Sequence, residues 1–265
     1  MPLVGSFISV SIYNEAFWDI CQSVGKEGEQ IEFKIKLANI VIGIQGQYSY
    51  FKEYCRDYLT GEIPDLEIKI TKEDILAEQK KLDVQKASPE YLEILAALRK
   101  IAEAIPDRNC FLMHGVVLSW QDKGYMFTAP SGTGKSTHAA LWKQYLGEKV
   151  KIINGDKPIL KVEEKEIYAY GTPWAGKEHW QENLGVPLKG ICILQRGSYN
   201  RICCMHPAEI LPQLMGQVYY SDKVAMAAKT MELLDRVIRN VPIYQMECDI
   251  SKEAVRCSFE CMTGV

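Results

Sequence analysis

The sequence has no apolar run long enough to span a bilayer, and we recognise no signal peptide in it. It also has no stripe of lysine and arginine with interleaved aromatic residues, and its formal net charge is only −3. Internal repeats and low-complexity linkers are absent as well. We therefore expect a cytoplasmic protein that binds neither membranes nor nucleic acid.

A disulfide framework is also missing. The chain has nine cysteines, but no Cys-x-x-Cys pair and no ordered spacing, so we expect reduced thiols that are mostly buried. Cys203 and Cys204 are adjacent in an alternating segment and would point to opposite faces of a strand, which argues against a mutual disulfide. With 47% hydrophobic and 25% charged residues, the composition is that of a globular protein.

One segment carries most of the chemical information. Residues 129–137, Ala-Pro-Ser-Gly-Thr-Gly-Lys-Ser-Thr, form a Walker A (P-loop) pattern between a strand-like run at 124–128 and a helix-like run at 135–146. Glycines allow backbone N–H groups to surround an oxyanion, a lysine reaches the outer phosphates, and a serine binds Mg²⁺. The predicted nucleotide-binding residues are Ser131, Gly132, Thr133, Gly134, Lys135, Ser136 and Thr137.

The loop departs from the usual pattern at its first position. Ala129 stands where glycine is usual, and because alanine rarely adopts a positive φ, we expect a negative φ there. The alternative is a tight strand-to-helix turn that binds nothing. The agreement of both glycines, Lys135 and Ser136 with the strand-loop-helix frame favours phosphate binding.

The fold class predicted from the pattern is α/β, with a mixed sheet, after an N-terminal α+β subdomain at 1–87. In this subdomain we expect a hairpin across 31–44 that turns at Ala38–Asn39, a helix at 48–59 and a strand at 66–70. The charged segment 71–81 breaks the pattern.

Residues 88–265 form the second predicted domain, which begins with a helix capped by Ser88 and Pro89. Tyr91, Leu95, Leu98 and Ala102 are expected on its buried face. The further expectations, in chain order, are a strand at 111–120, a turn at 122–124, a strand at 150–153, a hairpin at 159–170, a polar loop at 171–187, strands at 188–194 and around 202, helices from Pro207 and Asp222, a strand at 243–246 and a helix after Ser251.

Two polar residues near the loop are candidate catalytic groups. His114 interrupts an apolar run that leads toward the loop, and a buried imidazole needs a polar partner. Asp156 follows the strand after the loop helix, where Mg²⁺ binding or a base for an acceptor hydroxyl needs an acid. The alternatives are a core histidine and a turn aspartate in Asn-Gly-Asp.

Further candidates lie later in the chain. The segment 171–180 combines two tryptophans, Lys177, a glutamate and a histidine between glycines, which is typical of a site, although its tryptophans could simply pack on the core. Lys177 and Arg196 are possible contacts to substrate or phosphate, and Arg196 could equally be an exposed strand-end arginine. His138 and His206 are expected to be surface or core residues.

The order of these features resembles the C-terminal catalytic domain of HPr serine kinase/phosphorylase, a family grouped with phosphoenolpyruvate carboxykinases. The resemblance covers residues 110–200. It implies a carboxykinase-like fold and a site in which His114, Lys135, Ser136 and Asp156 surround ATP, Mg²⁺ and an acceptor hydroxyl. Lys135 would act on the phosphates, Ser136 and Asp156 would bind the metal, and His114 or Asp156 would take the proton.

The chain departs from that family at several positions. Gly155 stands where the first of two adjacent acids is usual, and Thr137 stands where an acid is common. The first 85 residues do not look like the HPr kinase N-terminal domain, and no phosphorylase signature is found. Stand-alone kinases of peptides or small metabolites are therefore at least as well matched as an HPr kinase.

The leading hypothesis is a Mg²⁺-dependent kinase that transfers the γ-phosphoryl of ATP to a hydroxyl of a protein, peptide or small molecule. The alternative is a nucleotide-binding sensor or scaffold protein, which the loss of an acid at Gly155 favours. A carboxykinase-like activity would need an oxaloacetate site and metal ligands that we do not find in the sequence. The acceptor, the choice of ATP or pyrophosphate as donor, and a homo-oligomeric state all remain open.

Overall fold

The computed structural model describes residues 30–82 and 87–265, in which the strands form a three-stranded and a nine-stranded sheet. The strands are β1 (Ile31–Leu37), β2 (Ile40–Gly46), β3 (Leu66–Lys69), β4 (Cys110–Leu112), β5 (Val116–Trp120), β6 (Lys123–Thr128), β7 (Val150–Asn154), β8 (Ile159–Val162), β9 (Ile167–Tyr170), β10 (Gly185–Arg196), β11 (Arg201–Cys204) and β12 (Ile243–Cys248). The helices are α1 (Ser49–Tyr54), α2 (Lys72–Lys81), α3 (Pro89–Ala104), α4 (Lys135–Leu146), α5 (Pro207–Met215), α6 (Val224–Asn240) and α7 (Lys252–Thr263).

The small sheet confirms the predicted hairpin. Strands β1 and β2 pair antiparallel around Ala38 and Asn39, which have positive φ values of 49° and 61°, and β3 adds parallel to β2. The predicted helix at 48–59 is shorter, because α1 ends at Tyr54 and a 3₁₀ turn covers Arg56–Tyr58.

For the charged segment 71–81, which breaks the hydrophobic pattern, no element was predicted. It forms α2, which begins with a capping box in which the Thr71 side chain accepts from Asp74 N and the Asp74 side chain accepts from Thr71 N. Its buried residues are Ile75 and Glu78, so it has little hydrophobic periodicity. The Glu78 carboxylate instead forms a two-bond ion pair with Arg99 of α3, at 2.6 and 3.0 Å.

Helix α3 begins as predicted, since the Ser88 hydroxyl accepts a hydrogen bond from Tyr91 N and Pro89 is the first helical residue. All four residues predicted for its buried face are buried. Its apolar residues share a core with the small sheet and with Leu112, Ile159 and Trp174. The predicted boundary between residues 87 and 88 stays a prediction, and residues 1–29 and 83–86, with Cys21, lie outside the described residues.

The large sheet confirms a mixed α/β architecture. Its order is β4-β8-β9-β10-β6-β5-β7, and β12 pairs with β10 and β11. Because β10 runs parallel to β6 and β12, the carboxyl ends of these three strands lie at one edge. One face packs against α5 and α6, and the other against α4 and α7. Residues after β6, β10 and β12 therefore come together beyond that edge.

The predicted strand at 111–120 is in fact two strands, because the chain leaves the sheet at Met113–Gly115. His114 N donates to Gln217 O at 2.7 Å and Gly115 N donates to Asp156 O at 2.9 Å, so these residues bond outside the ladder. A side chain at Gly115 would place Cβ 2.8 Å from Phe127 O, which only glycine avoids. His114 therefore lies in a connection, not on a strand as predicted.

Other expected boundaries move by a few residues. The turn before β6 is at Gln121–Asp122, both with positive φ, one residue earlier than expected. Strand β10 begins at Gly185, inside the predicted polar loop, since residues 185–187 pair with β9. The predicted hairpin at 159–170 is confirmed as β8 and β9. Of the described cysteines, only Cys55, Cys110 and Cys192 are buried, fewer than expected, and all are free thiols.

Candidate functional site

The glycine-rich loop connects the end of β6 to the start of α4. Gly132 and Gly134 have φ values of 78° and 117°, a region that side chains with a Cβ rarely adopt. Ala129 is not among the residues with positive φ, as its side chain predicted. The N–H groups in the first turn of a helix have no intrahelical acceptors, and in α4 no side chain caps them. The loop thus has uncapped amides at a helix N-terminus.

Lys135 is buried, and its side chain lies back across the loop. Its Nζ donates to Ala129 O at 2.8 Å and to Pro130 O at 3.3 Å. Burial lowers the pKa of Lys135 to about 8, with Lys157 contributing in the same direction. At neutral pH the group remains mainly protonated, and a nearby anion would find a cation that is already partly desolvated.

A single open cleft contains nearly all the predicted site residues. It measures about 310 Å³, which is at the small end for ligand sites. Thr133 is not in its lining and faces neighbouring depressions instead. The cleft is lined by His114, Ser131, Gly132, Gly134, Lys135, Ser136, Thr137, Gly155, Asp156, Gly176, Lys177, Glu178 and Arg196.

His114 contacts polar partners through both ring nitrogens. Nδ1 lies 3.0 Å from Gln217 Oε1, and Nε2 lies 3.3 Å from Asp156 Oδ1. Burial lowers the pKa of His114, so the ring is neutral at neutral pH. The proton of the neutral ring is on Nδ1 when it is donated to Gln217 Oε1 and on Nε2 when it is donated to Asp156 Oδ1. In the first case, a proton accepted by Nε2 would be shared with Asp156.

Asp156 is held in an ionised state by the Lys157 ammonium and by its contact with His114. Lys157 Nζ lies 3.1 Å from each carboxylate oxygen, and His114 adds the contact at Oδ1. Burial raises the pKa of Asp156, but Lys157 and His114 outweigh this effect and bring the pKa below the usual value. The carboxylate is therefore charged at any pH near neutrality.

The backbone at Asp156 is shaped by the buried side chain of Asn154. Asn154 Oδ1 accepts hydrogen bonds from the N–H groups of Asp156 at 3.0 Å and Lys157 at 2.7 Å. This is an Asx turn, in which an asparagine side chain replaces a backbone acceptor. Asp156 is thus a turn residue that also lines the cleft, and its role as a metal ligand or base stays a prediction.

Gly155 is a position where no side chain fits. A Cβ there would lie 2.4 Å from the backbone oxygen of Ala175, closer than any normal contact. Ala175 is in the 171–180 segment, whose backbone is fixed by the bond from Lys157 N to Trp174 O at 3.0 Å. This backbone therefore leaves no room for an acidic side chain at position 155.

The 171–180 segment packs on the core through one tryptophan and lines the cleft with other residues. Trp174 is buried and its Nε1 donates to Ile94 O at 3.1 Å, so this tryptophan packs on the core. Gly176, Lys177 and Glu178 line the cleft opposite the loop. The segment is thus anchored in the core by Trp174 and forms one wall of the cleft.

Arg196 holds the loop itself. Its Nε donates to Thr133 O at 3.2 Å, and its Nη2 donates to Gly132 O. The guanidinium therefore fixes two carbonyl oxygens of the loop while it lines the cleft. Together with Lys135 and Lys177, it gives the cleft three cationic side chains against two anionic ones, Asp156 and Glu178.

A Mg²⁺ ion fits the residues of this cleft. Mg²⁺ usually takes one or two protein oxygens and completes its shell with phosphates and water. Ser136 and Asp156 line the same cleft, and the lone pairs of the ionised carboxylate are not all used by Lys157 and His114. Among the described residues no cluster of three or more metal-binding side chains is found.

Two residues that contact the site residues were missed in the sequence. Gln217 is 103 positions from His114 and belongs to no motif, so nothing in the sequence indicated it. Lys157 directly follows Asp156, but adjacent residues on a strand point apart, and only the turn at Asn154 brings the two charges together. The Asn-Gly turn signal was the only available indication.

His138 and His206 lie outside the cleft. His138 is in the core, where its Nε2 lies 3.0 Å from Ser258 Oγ, and burial lowers its pKa to about 4. His206 caps the N-terminus of α5, and its Nδ1 accepts from Ala208 N at 3.4 Å. Among the described residues, no helix is both long and apolar enough to cross a membrane.

Fold and site define an α/β protein with a mixed sheet and a polar cleft beside a glycine-rich strand-to-helix loop. A family model described as SynChlorMet cassette protein ScmC matches residues 80–254, most of the chain, and the chain belongs to this family. No curated protein matches the sequence.

A solved structure of the Hpr(Ser) kinase/phosphatase from Coxiella burnetii is similar over 58% of this chain and 93% of that chain. The sequence identity is 10% and the TM-score is 0.32. A similarity at this level supports no conclusion about fold or activity. The predicted resemblance to HPr kinase therefore rests on the motifs in the sequence.

Proposed function

We propose that this protein is a phosphotransferase that moves the γ-phosphoryl group of ATP to a hydroxyl group. The supporting observation is that Lys135, the uncapped start of α4, His114 and Asp156 all line one cleft. Uncapped amides and a partly desolvated lysine stabilise phosphate charge, and they do so more strongly as charge develops in transfer. The acceptor would be a serine of a protein or peptide, or a small metabolite.

Each residue has a distinct role in this proposal. Ser136 and Asp156 would hold Mg²⁺, and the bound ion would neutralise part of the phosphate charge. Asp156 is a weak base because its pKa is low, so the hydroxyl proton goes to Nε2 of His114. Gln217 keeps the proton of the neutral ring on Nδ1, and Asp156 stabilises the imidazolium that forms. Arg196 keeps the loop in shape.

The test is the substitution Lys135→Ala, compared with Lys143→Ala, an exposed lysine on the same helix. Purified protein is incubated with Mg²⁺, γ-labelled ATP and a lysate separated into peptides and metabolites. We expect a labelled product whose formation falls at least 100-fold in Lys135→Ala and is unchanged in Lys143→Ala. Equal turnover of the wild type and Lys135→Ala, with both folded by circular dichroism, would disprove the mechanism.

A nucleotide-binding sensor or scaffold protein is a second candidate. It is favoured by the carbonyl of Ala175, which excludes an acid at Gly155, and by the ion pair that occupies Asp156. In this case ATP binds through Lys135, but no labelled product forms across the whole set of fractions. A product that is lost in Asp156→Asn would exclude the sensor.

A further inference from the structure

A second depression lies beside the cleft, on the other side of the loop, and we call it the trough. Gly134, Thr137 and Arg196 line both the cleft and the trough, so the two are continuous around the start of α4. The trough is lined by Thr133, Gly134, Thr137, His138, Leu141, Leu194, Gln195, Arg196, Gly197, Cys248, Asp249 and Ile250.

The walls of the trough are apolar where they are farthest from the cleft. Leu141 belongs to α4, Leu194 to β10, and Ile250 follows β12. Ile250 is 76% exposed, so its side chain is accessible to a ligand in the trough. The trough also lies beyond the carboxyl ends of the parallel strands β10 and β12, where open α/β sheets bind ligands.

A buried polar atom belongs to the same wall. His138 lines the trough, and its Nδ1 is buried without a hydrogen-bond partner among the described residues. Its Nε2 is fixed by Ser258 Oγ, which also accepts from Trp142 Nε1 at 2.9 Å. Nδ1 itself has almost no exposed surface, so it lies behind the wall of the trough.

We propose that the trough binds the nucleoside part of the nucleotide whose phosphates lie in the cleft, an inference that rests on the proposed function. The phosphate chain would run around the start of α4. Its outer end would lie near His114 and Asp156, and its inner end near Gly134 and Thr137. The ribose and base then lie against Leu141, Leu194 and Ile250, with Ile250 covering the base.

The test separates binding of the base from binding of the phosphates. Affinities for ATP and for inorganic tripolyphosphate, both with Mg²⁺, are measured by calorimetry on the wild type, Ile250→Asn, Ile63→Asn and Lys135→Ala. Asparagine adds no charge, so it does not alter electrostatic attraction of the phosphates. Ile63 is the matched control, because it is 87% exposed and lies outside the trough.

We expect Ile250→Asn to weaken ATP binding about tenfold, because the apolar contact with the base is lost, and to leave tripolyphosphate binding unchanged. Ile63→Asn should change neither, and Lys135→Ala should weaken both. If Ile250→Asn leaves ATP binding intact while Lys135→Ala weakens both ligands, the trough is not the nucleoside site, although the phosphate site stands. If neither ligand binds the wild type, the proposed function is wrong, and the trough proposal falls with it.

Discussion

Asp156 owes its charge and its position to residues that touch it in three different ways. Lys157 neutralises both carboxylate oxygens, His114 contacts one of them, and the side chain of Asn154 fixes the backbone beneath. Removing one partner from such a group leaves a charge that is partly buried and less compensated. The state of this carboxylate is therefore a property of the cluster rather than of the aspartate alone.

The neighbouring position, Gly155, leads to a prediction about sterics. Gly155→Ala should lower the free energy of unfolding by about 1–3 kcal/mol, because a Cβ would overlap the backbone oxygen of Ala175. Gly61→Ala is the matched control, since a Cβ at that position has no neighbour within 4 Å, and it should change stability by less than about 0.5 kcal/mol. The free energy of unfolding of both variants is measured by urea denaturation. Equal values would show that the 171–180 segment moves to accommodate a side chain at position 155.

At the level of helices, one buried hydroxyl group forms the polar contact between α4 and α7. Ser258 Oγ of α7 accepts from Trp142 Nε1 and lies 3.0 Å from His138 Nε2, both on α4. The same hydroxyl lies 3.1 Å from the carbonyl oxygen of Ala254 in its own helix. The helix that starts at the loop is thus held in place by a buried polar contact as well as by apolar packing.

The burial of His138 makes stability depend on pH. Burial lowers the pKa of His138 to about 4 in the folded protein, against about 6.5 when unfolded, so the unfolded state binds the proton first. Stability is therefore full above pH 6.5 and falls as the pH decreases toward 4. Relative to His138→Gln, the wild type should lose about 2 to 3 kcal/mol between pH 7 and 4.5 in urea denaturation. Parallel pH profiles for the two proteins would contradict this.

At the scale of the whole molecule, the wall of the cleft is tied to the core around the small sheet. Trp174 is part of the 171–180 segment, yet its ring is buried beside α3 and lies edge-on to Tyr54 of α1, with 6.2 Å between ring centroids. The segment that lines the cleft is therefore fixed by residues of the N-terminal half of the chain. The packing of that half should affect the geometry of the site.

Trp174→Ala tests this connection. Loss of the buried ring should lower the free energy of unfolding by about 3–5 kcal/mol, because a large cavity forms and a hydrogen bond is lost. Tyr199→Ala, at a tyrosine that is 55% exposed, should change stability by less than about 0.5 kcal/mol. Both are measured by guanidinium denaturation, and a loss at Trp174 no larger than at Tyr199 would show that the segment is not anchored in the core.

Much of the fold could be predicted because local patterns are strong. The Ser88-Pro89 cap, the alternation in β1 and β2, and the strand-loop-helix frame around Lys135 each depend on neighbours within a few residues. Helix α2 was missed because it buries a charged glutamate instead of an apolar stripe, so its periodicity is weak. The prediction placed His114 on a strand because the apolar run around it is continuous in the sequence. In the structure β4 ends before His114, since the backbone of residues 114 and 115 bonds to Gln217 and Asp156, which are distant in the chain.

The glycine-rich loop, the candidate residues around it and the mixed α/β class could be predicted from the sequence alone, since all of these follow from local spacing and residue type. The pairing of groups within the cleft is visible only in the tertiary structure. Lys157 contacts Asp156 because of the turn between them and Asn154, and Gln217 contacts His114 from 103 positions along the chain. The backbone oxygen of Ala175 fills the space beside Gly155. Such contacts join residues that are distant in the chain or that a turn reorients, so no short pattern encodes them.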